Sequence, residues 1–388
     1  MPAYLWPLLA TLGLQTVATM AAYSIPAAAP AVARDLGVDG ALTGFFISIV
    51  YGVGIVSAML SPGFIHRYGA VRVGQSVGVA TLVMLLVASS DGVAGIALGA
   101  VLLGLAYGAT APVSTHLLVP RTPPSAVNLV LSIRQIGVPL GGVLGGLVVP
   151  PIVLIAGWRP ALLLQVVPVL LLLLLLQLPR AAWDADRDPK RPALRGSALK
   201  PLELLRESAA LRRLSIACFV YSGIQLCFVA FMTVHLTAAA GLDLIHAGRA
   251  LAAYQLSGVI TRSIWGWLAD HVLAARWLLV LQGLVMAGAA AAAGQFGVGW
   301  PYAAVLLICT VAGATASGYT GIAYAEYARL GGTRRTEATG LGSSVMFSGS
   351  MLLPSLFGLA VGGLGAYAWA YAGVGVLAAL VALNLSRR

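Results

Sequence analysis

Long apolar runs alternate with short polar breaks along the whole chain, and each run has membrane-spanning length. A transmembrane helix needs about 20 mostly apolar residues. On that measure the runs predict helices near 4–32, 41–62, 73–90, 94–118, 128–155, 158–179, 213–238, 247–267, 277–296, 300–325, 338–362 and 366–386. The breaks are short except for one. Residues 181–212 are polar, proline-bearing and dense in charge, so they read as a linker between two sets of six helices, 1–180 and 213–388. The expected fold class is an all-α polytopic membrane protein with twelve transmembrane helices.

Composition agrees with the pattern. Sixty per cent of residues are hydrophobic and nine per cent are charged, whereas a soluble domain carries about a quarter charged residues. The N-terminus, MPAYLWPLLATLGL, has no basic leader and no clear A-x-A cleavage site, so it reads as a retained first span. Cys218, Cys227 and Cys309 lie in apolar runs without ligand-like spacing and read as small core residues. Neither a disulfide, a metal nor a cofactor is expected. No G-x-x-x-x-G-K-[ST] stretch occurs, so ATP drive is not encoded here. Without a nucleophile–base constellation, enzyme function is not expected either.

The formal charge of +11 is unevenly placed. One set of connections receives Arg67, Arg72, Arg121, Arg180, Arg187, Lys190, Arg191, Arg195, Lys200, Arg206, Arg212, Arg213, Arg276, Arg329, Arg334, Arg335, Arg387 and Arg388. The other receives Arg34, Arg159 and Arg249. The crowded side is expected to be cytoplasmic, which puts both termini and the linker on the cytoplasmic side of a bacterial inner membrane. The basic balance therefore says nothing about nucleic acid. Its natural partner is the anionic headgroup layer.

Two arginines break the apolar pattern. Arg134 lies in Leu131-Ser132-Ile133-Arg134-Gln135-Ile136-Gly137, roughly 10 Å from the nearer helix end at about 1.5 Å rise per residue. Arg262 stands eight residues before Asp270, or roughly 12 Å along its helix. Neither run contains Asp or Glu. A charge at the bilayer centre costs roughly 2.5–3.5 kcal/mol, so such residues are functional candidates, and two of them suggest a negative ligand. The competing readings are snorkelling of Arg134 to the headgroups and a structural bond from Arg262 to helix-end carbonyls or to the Asp270 loop. Tyr23, Tyr51, Tyr107, Tyr221, Gln225, Tyr254, Tyr319 and Ser344 could complete an amphipathic lining, although each has an ordinary reading in packing. His116 and His235 are the embedded histidines. His235 can titrate, with an interhelix hydrogen bond as its plainer role.

Two connections six helices apart share a pattern. Pro62-Gly63-Phe64-Ile65-His66-Arg67-Tyr68-Gly69-Ala70-Val71-Arg72 follows the second run, and Gly266-Trp267-Leu268-Ala269-Asp270-His271 follows the eighth. Here the chain resembles the major facilitator superfamily, whose signature in that loop is G-x-x-x-D-R-x-G-R-R. The second copy keeps Gly266 and Asp270. The first keeps Arg67 and Gly69 but has His66 for the Asp and Pro62, beside Gly63, for the Gly. The glycine-rich run Gly137-Val138-Pro139-Leu140-Gly141-Gly142, then Gly145 and Gly146, is also family-like, and small residues at such spacing let helices approach closely. The resemblance implies two pseudo-symmetric six-helix bundles around a central cavity, working by alternating access as a monomer. It implies a conformational role for Gly63, Arg67, Gly69, Gly266 and Asp270.

Arg262, four residues before Gly266, resembles the helix 8 arginine of monocarboxylate, oxalate and nitrate carriers. In those families it binds the anionic group of the substrate. Two departures stand beside this likeness. Gly258 occupies the place of the aspartate that monocarboxylate carriers pair with the arginine. Ala58 stands where nitrate carriers have a second arginine, so Arg134 would have to supply that charge. The expected function is secondary active transport of a small anion, an organic carboxylate foremost. The alternatives are an exporter of neutral or amphipathic compounds with structural arginines, and a transporter-like receptor.

Overall fold

The computed structural model describes residues 2–37, 42–90, 92–193, 200–242, 244–364 and 367–387. Arg195 and Arg388 of the basic set lie outside them. Every regular element among the described residues is helical. The long helices are α1 (Leu5–Ala27), α2 (Leu42–Tyr68), α3 (Ala70–Ala88), α4 (Val93–Leu118), α5 (Pro124–Ala156) and α6 (Trp158–Gln177). After the linker come α7 (Ala209–Ala238), α8 (Leu244–His271) and α9 (Ala275–Gly294). Then α10 is built from Tyr302–Ala312, a π-helical turn Gly313–Ser317 and Thr320–Gly331, and is followed by α11 (Arg335–Leu364) and α12 (Tyr367–Ser386). Among the described residues ten stretches are long and apolar enough to cross a membrane, and α10 and α11 share one of them. The remaining helix is α8, whose Arg249, Arg262 and Asp270 make it the polar member. The chain is a twelve-helix, multi-pass membrane protein.

Several boundaries differ from expectation for local reasons. The first helix stops at Ala27 instead of running to 32, and a short helix, Ala29–Leu36, follows. Pro30 opens that helix in its first turn. It has no N–H to continue the ladder of α1, but at a helix start that donor is not needed. Helix α7 begins at Ala209 rather than 213, because the Ser208 hydroxyl caps it by accepting from the Leu211 N–H at 3.2 Å. The linker is not all coil: it contains the helices Arg180–Trp183 and Lys200–Glu207.

The chain forms two compact units. The first comprises Met1–Thr122, Arg134–Glu203 and Gly331–Ser344, and the second comprises Pro123–Ile133, Leu204–Leu330 and Val345–Arg388. In the first, α4 packs on α2 and α3, and α1 packs on α5. Its core gathers Leu14, Ile65, Val71, Val77, Ala106, Val113 and Leu117. The glycines of α5 make the close approach that their spacing suggested. A Cβ at Gly137 would lie 2.9 Å from the Leu12 carbonyl, and one at Gly141 would overlap the Thr16 carbonyl. In the second unit, α9 packs on α12 and α8 on α10. Arg276 of α9 caps the end of α12, donating to the carbonyls of Leu385 (2.8 Å), Ser386 and Arg387. A guanidinium there satisfies carbonyls that have no helical partner.

Candidate substrate site

Arg262 is 2% exposed, in the interior of the second unit. Its surroundings follow from the break in α10. A π-turn leaves carbonyls out of the ordinary i→i−4 ladder, and such turns are frequent at functional sites. Side chains of α8 meet the carbonyls of this one. The Ala314 carbonyl accepts from Trp265 Nε1 at 2.7 Å and from Thr261 Oγ1 at 3.1 Å. The Ser317 carbonyl accepts from Arg262 Nε at 2.9 Å, and Ser317 Oγ accepts from Arg262 Nη2 at 3.1 Å. Close approach of the two helices needs glycine at Gly313, where a Cβ would overlap the Tyr254 carbonyl. Ser317 is a neutral partner, so it orients the guanidinium without offsetting its charge.

The tyrosines of the second unit lie in the same interior. Tyr254 and Tyr319 are fully buried. Tyr319 meets Tyr221 edge-on at 5.5 Å. Two of the expected lining groups have structural work. Tyr221 donates to the Leu279 carbonyl at 3.1 Å, across a gap that exists because Gly283 has no side chain. Tyr254 donates to the Gln225 carbonyl at 3.3 Å, so Gln225 meets it through its backbone.

The first unit holds the other expected residues. Arg134 is 2% exposed at the end of the segment Val127–Arg134, and its Nη1 donates to Gln135 Oε1 at 2.6 Å. Tyr51 and Tyr107 meet edge-on at 6.2 Å, and Tyr23 hydrogen-bonds with Tyr51. Tyr107 in turn meets Thr19 Oγ1 at 3.2 Å, and Thr19 accepts from Gln15 Nε2 at 2.9 Å. Thr19 completes this polar chain and was not singled out from the sequence. Ser344 is buried in the first unit. Its hydroxyl is directed to helix carbonyls, that of Ile55 at 2.8 Å and that of Gly340 at 3.1 Å.

The two loop motifs end helices and start others. Asp270 accepts from the backbone N–H groups of Asn128 (3.1 Å) and Leu129 (2.9 Å) and from Asn128 Nδ2 (2.7 Å). It thereby caps the segment Val127–Arg134 with a negative charge at the positive end of the helix dipole. Gly266 lets this segment come close, since a Cβ there would lie 2.8 Å from the Asn128 carbonyl. In the first copy the linker supplies the acid. Asp184 accepts from Val71 N (2.7 Å) and Arg72 N (3.1 Å) at the start of α3. Gly69, at φ 94°, has no room for a Cβ beside that carboxylate. A Cβ at Gly63 would likewise overlap the Ala193 carbonyl, and Arg67 Nη1 donates to the Arg191 carbonyl at 3.4 Å.

No curated protein matches the chain in sequence. Solved structures match it in fold. A variant of the fucose:proton symporter FucP of E. coli is similar over 100% of both chains, with a TM-score of 0.76 at 14% identity. The human organic anion transporter MFSD10 (TETRAN) is similar over 100% of both, with a TM-score of 0.78 at 17% identity. The proton:xylose symporter XylE, solved with 6-bromo-6-deoxy-D-glucose, gives 0.75 at 14% identity over 98% of this chain and 94% of that one. At such identities the likeness is one of fold. The sequence itself matches the family model described as Major Facilitator Superfamily over residues 11–329, and the chain belongs to that family of membrane transporters.

Proposed function

We propose that this transporter is a secondary active carrier of a small anion, an organic carboxylate foremost, working by alternating access in a bacterial inner membrane with the linker and both termini on the cytoplasmic side. The observation that carries the reading is Arg262, buried in the second unit and oriented by a neutral serine. Guanidinium is always charged and offers a planar fork of donors that suits a carboxylate. We propose Arg134 as a second cationic contact and Tyr254 and Tyr319 as hydroxyl contacts. That one structural neighbour is described as an organic anion transporter is compatible with this reading, although two others are described as sugar symporters.

A second reading has its own support. The bonds from Arg262 to the π-turn are those of a structural arginine, which suits an exporter of neutral or amphipathic compounds. A thermal-shift screen of the purified protein against carboxylates and inorganic anions separates the two. A ligand at 100 times its dissociation constant stabilises by about 2.7 kcal/mol. The anion reading expects such a shift in the wild type and its loss in Arg262→Gln. Shifts only with neutral compounds, retained in Arg262→Gln, favour the exporter.

A further inference from the structure

Three arginines of the second unit converge on the end of α12. Arg276 of α9 caps it, as described above, and Arg213 of α7 donates to the Arg387 carbonyl at 2.8 Å. Arg387 is itself exposed, and the exposed Arg212 precedes Arg213. No acid stands in the first turn of α7 or of α9, and the sequence from Tyr367 to Arg388 contains none. The nearest acid in sequence to Arg212 and Arg213, Glu207, lies before the Ser208 cap. Helix dipoles do not balance the cluster. The C-terminus of α12 supplies about half a negative charge, while the N-termini of α7 and α9 each supply about half a positive one. This end of the unit therefore draws a negative counter-charge.

Apolar surface leads away from the same corner. A Cβ at Gly283 would lie 2.9 Å from the Ala382 side chain, and one at Gly294 would lie 3.0 Å from that of Tyr371. The higher number on α9 thus meets the lower on α12, and the two helices run antiparallel. A residue one step beyond the packing face is turned by about 100°, and in antiparallel helices that step leads to the same side of the pair. On α9 it reaches Trp277, Leu281 and Leu284, which are all exposed. On α12 it reaches Val376, Leu380 and Leu383, also exposed, and Arg387 continues their register. Two apolar stripes therefore flank one groove that ends at the arginines. Trp277 marks the level of the membrane interface, where tryptophan is enriched, and the Arg276 guanidinium lies 5.4 Å from its ring centre.

We propose that this corner of the second unit is a binding site for an anionic phospholipid, its phosphate held by Arg213, Arg276 and Arg387 and its acyl chains laid along the two stripes. A soluble anion uses the arginines alone, whereas a phospholipid uses the arginines and the stripes together. Native mass spectrometry of the full chain in detergent, titrated with cardiolipin or with zwitterionic phosphatidylethanolamine, tests the site. Each arginine beside an anionic lipid is worth about five-fold in affinity. Cardiolipin should therefore bind the wild type at least about ten-fold more tightly than phosphatidylethanolamine, and the double variant Arg213→Gln, Arg387→Gln should lose about 25-fold. Arg276 is left in place because it caps α12. The double variant Arg187→Gln, Lys190→Gln removes the same charge from exposed linker positions and should bind cardiolipin as the wild type does. Leu281→Gln with Leu383→Gln keeps every charge and should weaken cardiolipin several-fold, and an equal concentration of inorganic pyrophosphate should not displace the lipid. Equal binding of the two lipids, an equal loss in the linker variant, full binding by the arginine or the leucine variant, or displacement by pyrophosphate overturns the assignment.

Discussion

At the scale of single residues, the arginines differ in burial: Arg134 and Arg262 are buried, whereas Arg159 and Arg276 are half-buried. Arg276 and Arg159 have evident structural partners: Arg276 caps α12, and Arg159 donates to Asp35 Oδ2 at 2.6 Å beside Trp158 Nε1 at 3.1 Å. The Arg159 bond, then the Trp158 bond, hold the Asp35 carboxyl below the usual carboxylate range. A depressed acid contributes stability above its unfolded value, about 3.9, and that contribution fades as pH falls through the lower folded value. Asp35→Asn should therefore lower the Tm of the purified protein equally at neutral and weakly acidic pH, with the difference closing below about pH 4. A difference that instead grows on acidification contradicts the pairing. Arg134 is buried to the same degree as Arg262, and Arg134→Gln should raise KM for the transported anion several-fold while the fold persists. Normal KM in that variant would assign it to structure alone. The sequence made both arginines visible because charge is costly in an apolar run. It did not reveal Ser317 or Thr19, since a hydroxyl in a helix carries no such cost and is visible only once its neighbours are placed.

At the scale of elements, composition and spacing settle most of what is observed. The lengths of the apolar runs predicted the helices, and the glycine spacing in α5 predicted close packing on α1. Gly141→Val should overfill that contact, and overpacking costs about 1–3 kcal/mol. The expected result is a lower Tm in detergent with reduced yield, and an unchanged Tm would show that α1 can move aside. The Asp270 cap is a second test. Replacing such a cap with Ala costs about 0.5–2 kcal/mol, so Asp270→Ala should speed hydrogen exchange in residues 127–134 while leaving α9 and α12 protected. Equal acceleration everywhere would mean global destabilisation rather than loss of a cap. The π-turn of α10 was not legible. Gly313-Ala314-Thr315-Ala316-Ser317-Gly318 reads as a small-residue helix, and the extra residue in its turn is fixed by the bonds that Thr261, Arg262 and Trp265 bring from α8. The linker escaped for a similar reason. Its acids looked solvated in the sequence, yet Asp184 is 3% exposed, because the unpaired N–H groups at the start of α3 draw it in.

At the scale of the whole molecule, the chemistry of a fixed cation bears on how transport is driven. On the proposed reading the drive follows from the arginines: the apolar runs that hold Arg134 and Arg262 contain no Asp or Glu, and a charge at the bilayer centre costs roughly 2.5–3.5 kcal/mol per residue on insertion scales. A bound anion offsets that charge. Exchange of anion for anion should therefore outrun net uptake, and internal unlabelled substrate should accelerate uptake at symmetric pH. Indifference to internal substrate, with uptake rising steeply on an inward proton gradient, would assign the drive to proton symport. The central claim rests on Arg262, and the most direct measurement is uptake of a radiolabelled carboxylate, chosen from the thermal-shift screen, into proteoliposomes of wild type, Arg262→Ala, Arg262→Lys and Ser317→Ala. The account predicts saturable uptake by the wild type and none by Arg262→Ala. It predicts severe loss in Arg262→Lys, because a point charge does not reproduce the fork, and a raised KM with retained turnover in Ser317→Ala. Near-normal carboxylate uptake by correctly folded Arg262→Ala would contradict it.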